Sequence, residues 1–167
     1  MKRLLIIITL AAVALFFSAC NREVNQLTGD YSYKISGEVA VTDADSNISY
    51  LMVNKRGQMN ILRDHNDKTR VLVTMSETAG GVYSFTAKVQ GDSLLLDPYS
   101  FATNILSKAT ALPVIDSNAT MVFQIDAMGS GFCNDDVIIL NEQWSGHQSS
   151  GSNTLSGPKM MMIAERN

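Results

Sequence analysis

The sequence predicts an all-β protein: an antiparallel up-and-down barrel of about eight or nine strands, with a two-sheet β-sandwich as the alternative. Three observations carry this. Apolar and polar residues alternate with period two from Tyr31 to Thr42 and in most later segments, the pattern of strands with one buried and one wet face. The gaps between segments are short and rich in Gly, Asn and Asp, as tight turns require. Little of the chain has helical spacing, so strands must cover strands, and a sheet that returns to its first strand removes both exposed edges.

The elements follow in order. Tyr31, Tyr33, Ile35, Val39 and Val41 share one face of the first segment, and Ser32, Lys34, Ser36, Glu38 and Thr42 share the other. Gly37 falls on the apolar face, where it allows a bend or bulge. Between residues 48 and 97, "ISYLMVN", "QMNIL", "TRVLVTM", "VYSFTAKV" and "SLLLD" are separated by "KRG", "RDHNDK", "SETAGG" and "QGD". Short turns between alternating runs make this a five-stranded antiparallel meander. Residues 98–118 break the pattern. Phe101, Ile105 and Leu112 have helix-compatible spacing without a clear cap, so a loop with one helical turn is expected. Three strands complete the domain: "TMVFQIDAM", "DVIILNEQW" and "KMMMIAER". The Gly- and Ser-rich "SGHQSSGSNTLSGP" between the last two reads as a mobile loop.

The first twenty residues are different in kind. Lys2 and Arg3 precede a predominantly apolar run from Leu4 to Phe17, followed by Ser18, Ala19 and Cys20. A positive start, a short apolar core and small residues at the exit are the parts of a secretory signal. At about 1.5 Å per helical residue the run covers roughly 21 Å, short of the hydrocarbon thickness of about 30 Å. The stretch "FSAC" resembles the lipobox of bacterial lipoprotein precursors, with Phe17 where that family usually has an aliphatic residue. The resemblance implies removal of residues 1–19, lipidation of Cys20 as the new N-terminus, a tether over residues 20–29, and one β-domain over residues 30–167. Two or more acyl chains give stable membrane attachment, each buried methylene contributing about 0.8 kcal/mol. Asn21, in place of the aspartate that retains many such lipoproteins at the inner membrane, points to the outer membrane of a Gram-negative envelope. Residues 21–23 lack a dense acidic cluster, which favours the periplasmic face.

Without the leader, 11 basic residues (13 less Lys2 and Arg3) face 16 acidic ones, a net charge of −5. Nucleic acid is therefore an unsuitable partner, since phosphate contacts need a basic surface. With Cys20 lipidated, Cys133 has no intramolecular disulfide partner, and its Gly131–Phe132 neighbourhood suits a buried structural thiol. The opening "LTGDYSYKISG" resembles the glycine–x–aromatic start of the calycin superfamily, which includes the lipocalins, with Tyr31 where tryptophan is common. That resemblance implies a lipocalin-like barrel that encloses a small ligand.

No constellation nominates an enzyme. Asp43, Asp45 and Asn47 alternate as in a calcium loop but lack its glycine and its bidentate acid. Asp64-His65-Asn66-Asp67 bunches ligand-capable groups, yet a solvated turn accounts for them and zinc would need further ligands from elsewhere. Carboxylates at Asp135 and Asp136 would raise the pKa of Cys133, the wrong direction for a nucleophile. No nucleophile elbow or phosphate-cradling loop is present, so no catalytic residue, metal or cofactor is assigned. Methionine is abundant, with Met160, Met161 and Met162 consecutive in the last strand; such residues fill irregular cores or line adaptable cavities. The function expected is a non-enzymatic, membrane-anchored binding module for a small apolar or amphipathic ligand. The inward candidates are Tyr31, Tyr33, Ile35, Tyr83, Phe85, Met160 and Met162. The alternative is an accessory subunit that interacts with an outer-membrane protein complex.

Overall fold

The computed structural model describes residues 24–78, 80–106 and 120–167. The leader and Cys20 lie outside the described residues, as does Leu112. The described residues form nine strands: β1 (Gly29–Thr42), β2 (Ile48–Arg63), β3 (Arg70–Glu77), β4 (Val82–Gln90), β5 (Ser93–Leu96), β6 (Tyr99–Leu106), β7 (Thr120–Cys133), β8 (Val137–Gln148) and β9 (Thr154–Arg166). All pairings are antiparallel, in the order β5-β4-β3-β2-β1-β9-β8-β7-β6. Ser93, Leu94 and Leu95 of β5 also pair with Phe132, Gly131 and Ser130 of β7. That contact closes eight strands into a barrel, with β6 as an extra strand continuing along β7. The predicted barrel holds and the sandwich does not, because the sheet returns on itself.

The core is the inner face of the barrel. In β1, Tyr31, Tyr33, Ile35, Val39 and Val41 are all buried, as the alternation requires. The register against β9 shifts between Gly37 and Ala40, so the bulge expected near Gly37 exists. Its cause lies on β9: Pro158 and Lys159 both face outward, and β8 shows the matching shift between Glu142 and Trp144. The extra residue flips the phase of β9. Leu155 and Gly157 point inward before it, Met160 and Met162 after it, and Met161 is left 42 % exposed outside.

Three predicted connections are strands instead. "KRG" does not turn; β2 runs through it as one 16-residue strand, so residues 48–97 hold four strands rather than five. Gly57 faces Tyr33 of β1 and Glu77 of β3. A Cβ there would overlap the Ser76 carbonyl and come 2.9 Å from the Tyr33 ring, so this glycine permits close approach rather than a turn. Residues 99–106, read from sequence as loop, form β6, because Tyr99, Phe101, Thr103 and Ile105 supply a buried face with period two. The predicted mobile loop after Trp144 is mostly ladder, pairing residues through His147↔Thr154 and leaving only residues 149–153 as the turn.

One end of the barrel is plugged. A helical turn at residues 24–27 buries Val24 and Leu27 beneath the strands. Tyr31 donates its hydroxyl proton to the Leu27 carbonyl at 3.0 Å. Arg166, from the last strand, donates to the carbonyls of Thr28 (2.9 Å), Gln26 and Asp135 (2.6 Å) and to the Tyr31 hydroxyl (2.6 Å). Residues assigned from sequence to the tether are thus docked from Val24 onward.

Candidate functional site in the barrel interior

Most inward positions carry aliphatic residues, but between β4, β6 and β8 the lining is aromatic and polar. Tyr83 and Phe85 project from β4 and meet Tyr99 and Phe101 of β6. Tyr83 stacks on Phe101 with ring centroids 4.4 Å apart, and Phe85 stacks on Tyr99 at 4.2 Å. Trp144 of β8 meets Phe101 edge-on at 5.3 Å. These rings do structural work too. The backbone ladder from β4 to β5 ends at the break before Pro98, where Asp97 donates its N–H to Thr86 at 3.0 Å and accepts from Arg70 and the Thr86 hydroxyl. Beyond Pro98 no ladder joins β4 to β6. Stacked rings close this seam in the wall, each pair contributing about 1 kcal/mol beyond its burial.

Two carboxylates point into the same interior, and they are treated differently. Glu77 lies 3.2 Å from the Lys55 ammonium and accepts from the Thr103 hydroxyl at 3.1 Å. Glu142 is 1 % exposed and accepts one bond, from the Trp144 indole N–H to Oε2 at 2.7 Å. Its Oε1 has no partner, and neither do the hydroxyls of Tyr33, Tyr83 and Tyr99. Burial raises the Glu142 pKa, with the Trp144 indole bond and the nearby Tyr99 hydroxyl pulling the other way. Burial also pushes the three phenols well above their ordinary range, with further upward contributions from the charge of Glu142. The Tyr99 hydroxyl therefore stands close to the Glu142 carboxylate, and the Tyr33 hydroxyl close to that of Tyr83, without either pair completing a hydrogen bond. Four buried polar atoms without a hydrogen-bond partner among the described residues are rare, each costing about 1–3 kcal/mol unless something satisfies it.

The structure divides the candidates named from sequence. Tyr33, Tyr83 and Phe85 come together in the aromatic cluster. Tyr31 is drawn to the plugged end by Arg166, whose guanidinium sits 4.8 Å from its ring centroid. Ile35, Met160 and Met162 are at most 1 % exposed in the packed aliphatic core. Sequence reasoning missed Tyr99 and Phe101, because they sit in the stretch taken for loop. It also missed Glu142, although a signal existed: Leu140, Glu142 and Trp144 share the inward face of β8, and an acid on an apolar stripe is an anomaly.

The remaining motifs are structural. Asp43 accepts from the Asp45 and Asn47 amides at 2.9 and 2.8 Å and from the Asn47 side chain at 2.9 Å; these bonds, the side-chain one foremost, lower its pKa. Asp67 caps its turn through Thr69, which lowers its pKa likewise. Cys133 is buried at 2 % exposure, and His147 lies in β8 rather than in a loop. No group of three metal-capable residues gathers among the described residues.

Two adjoining grooves, of about 830 and 460 Å³, cross the outer wall where Pro98 and Pro158 interrupt their strands; Met128 and Gln143 line both. None of the inward candidates named from sequence lines the larger one. The outward residues of β1 and β2 include Asp30, Lys34, Glu38, Arg56 and Gln58 together with Ile48, Tyr50, Met52 and Leu62, all exposed. No described helix is long and apolar enough to cross a membrane.

No family model and no curated protein matches the chain. Among solved structures the chain is similar to Ail, the attachment invasion locus protein of Yersinia pestis, at 10 % identity and a TM-score of 0.40, covering 83 % of this chain and 99 % of that one. It is also similar to the S-type phycobiliprotein lyase CPES from Guillardia theta, at 9 % identity and a TM-score of 0.39, covering 86 % and 90 %. At these values neither likeness bears on function.

Proposed function

We propose that this protein is a non-enzymatic binding module whose barrel interior takes a small amphipathic ligand, held at a membrane by lipid on Cys20. The observation that carries the binding reading is the set of four unpartnered buried polar atoms, on Tyr33, Tyr83, Tyr99 and Glu142, set among stacked aromatic rings. A ligand with an apolar body and a hydrogen-bonding head would pair those atoms and keep the rings dry. The β4–β6 seam, joined by side chains rather than backbone, is the part of the wall that opens at least cost. Trp144 is the chain's single tryptophan and borders both the cluster and the smaller outer groove, so its emission reports a probe at either place. Titration with 4-phenylbutanol is expected to shift that emission saturably; no saturable change up to the solubility limit of the probe would overturn the proposal.

The anchoring half rests on the resemblance of "FSAC" to a lipobox. It places the protein at the outer membrane of a Gram-negative envelope, on the periplasmic face. Cys20→Ser is expected to move the protein from the membrane to the soluble fraction, and retention in the membrane would sink the assignment. The outer grooves favour a second reading, an accessory subunit of an outer-membrane complex. Leu95 and Met128, at 52 % and 54 % exposure, line the larger groove, and crosslinking from Gln143 is the measurement that tests it.

A further inference from the structure

We infer that the ligand head group received by this interior is a protonated amine, seated against Oε1 of Glu142 and the hydroxyls of Tyr33, Tyr83 and Tyr99. The inference rests on the lumenal reading above and gives it a chemical class.

The two inward carboxylates differ in the counter-charge the chain supplies to them. Both project from strands into a low-dielectric interior, where an ionised carboxylate needs a counter-charge or must hold a proton. The chain supplies Glu77 with one, the Lys55 ammonium at 3.2 Å. It supplies none to Glu142 among the described residues. The groups that face it are Trp144 on its own strand, Tyr99 on β6, Tyr83 on β4 and Tyr33 on β1. None is cationic. Arg166, the other cation that reaches inward, is committed to Tyr31, Gln26, Thr28 and Asp135 at the plugged end. Glu142 is thus built like Glu77 with the ammonium left out.

The surroundings suit the missing group. An ammonium has three donors and no acceptor, and the site offers it one carboxylate oxygen and three phenol oxygens that lack partners. The faces of aromatic rings attract cations, most strongly where water is excluded. A neutral or anionic head would leave Glu142 either protonated or uncompensated. In the empty barrel burial favours the protonated acid. Entry of the amine converts a carboxylic acid and an alkylammonium into an ion pair plus one proton released to water, so charge and atoms balance.

The test compares 4-phenylbutylamine with 4-phenylbutanol, which differ in the head group alone, on the full chain with Trp144 emission as readout. The amine is expected to bind at least about tenfold more tightly at pH 7, the margin of one charge-assisted contact. In Glu142→Gln that preference is expected to vanish while alcohol binding persists. A second measurement needs no variant: amine affinity should fall as pH drops below the Glu142 pKa, approaching about tenfold per unit, while alcohol affinity stays flat. If the alcohol binds as tightly as the amine, or Glu142→Gln keeps the amine preference, the ammonium assignment is overturned and the lumenal site stands. If neither probe perturbs Trp144, both are overturned.

Discussion

At Glu142 a carboxylate occupies an inward position where the alternation of β8 calls for an apolar side chain. Burial there raises its pKa, and the sign of the consequence follows. Between the ordinary carboxylate value and the raised one, the folded protein holds a proton that the unfolded chain has released. Stability therefore falls as pH rises through that interval and is flat above it. Glu142→Gln keeps the shape and the acceptor for Trp144 but removes the titration. We expect the variant to be more stable than the parent at pH 8, by about 1–3 kcal/mol, with the gap narrowing near pH 4; thermal melts at both pH values check this. A gap of equal size at both would mean that charge burial is not its source. The inward orientation of Glu142 was legible from the spacing of Leu140, Glu142 and Trp144. Its lack of a counter-ion was not, because that depends on which residues the other strands bring opposite it.

Among the elements, β2 and β6 show where periodicity is silent. The turn-like composition of Lys55-Arg56-Gly57 is offset by tertiary context: Tyr33 covers the glycine from the neighbouring strand, and β3 passes too close for a Cβ. Gly57→Ala is expected to destabilise the barrel by about 1–3 kcal/mol through that overlap, measured by denaturant melts; a neutral result would mean that β2 and β3 can part locally. For β6 the failure has another cause. Tyr99, Phe101, Thr103 and Ile105 do alternate, but Pro98 and the threonines masked the pattern, and strand identity came from pairing with β7. The same strand lacks a ladder to β4. Its amides that point toward β4 are accordingly expected to exchange with solvent faster than those of β1, which has a partner on both sides. Equal protection along β1 and β6 would contradict a seam closed by side chains.

For the whole molecule, closure was legible because it follows from few rules: alternating strands, short turns and the cost of open edges. The strand count of about eight or nine agrees with eight in the barrel and one beside it. The candidate site was half legible. Tyr33, Tyr83 and Phe85 were found from their inward spacing, while Ile35, Met160 and Met162 share that spacing and simply pack. What separates the two sets is which side chains the other strands bring opposite them, which no local pattern encodes. The central claim is that the barrel interior, and not its outer wall, receives the ligand. The most direct measurement is a crystal structure of the protein soaked with 4-phenylbutylamine. The account predicts density enclosed by Tyr33, Tyr83, Tyr99 and Trp144, with the amine within hydrogen-bond distance of Glu142 Oε1. Density confined to the outer groove between Pro98 and Pro158, with the four interior atoms bonded to one another, would contradict it.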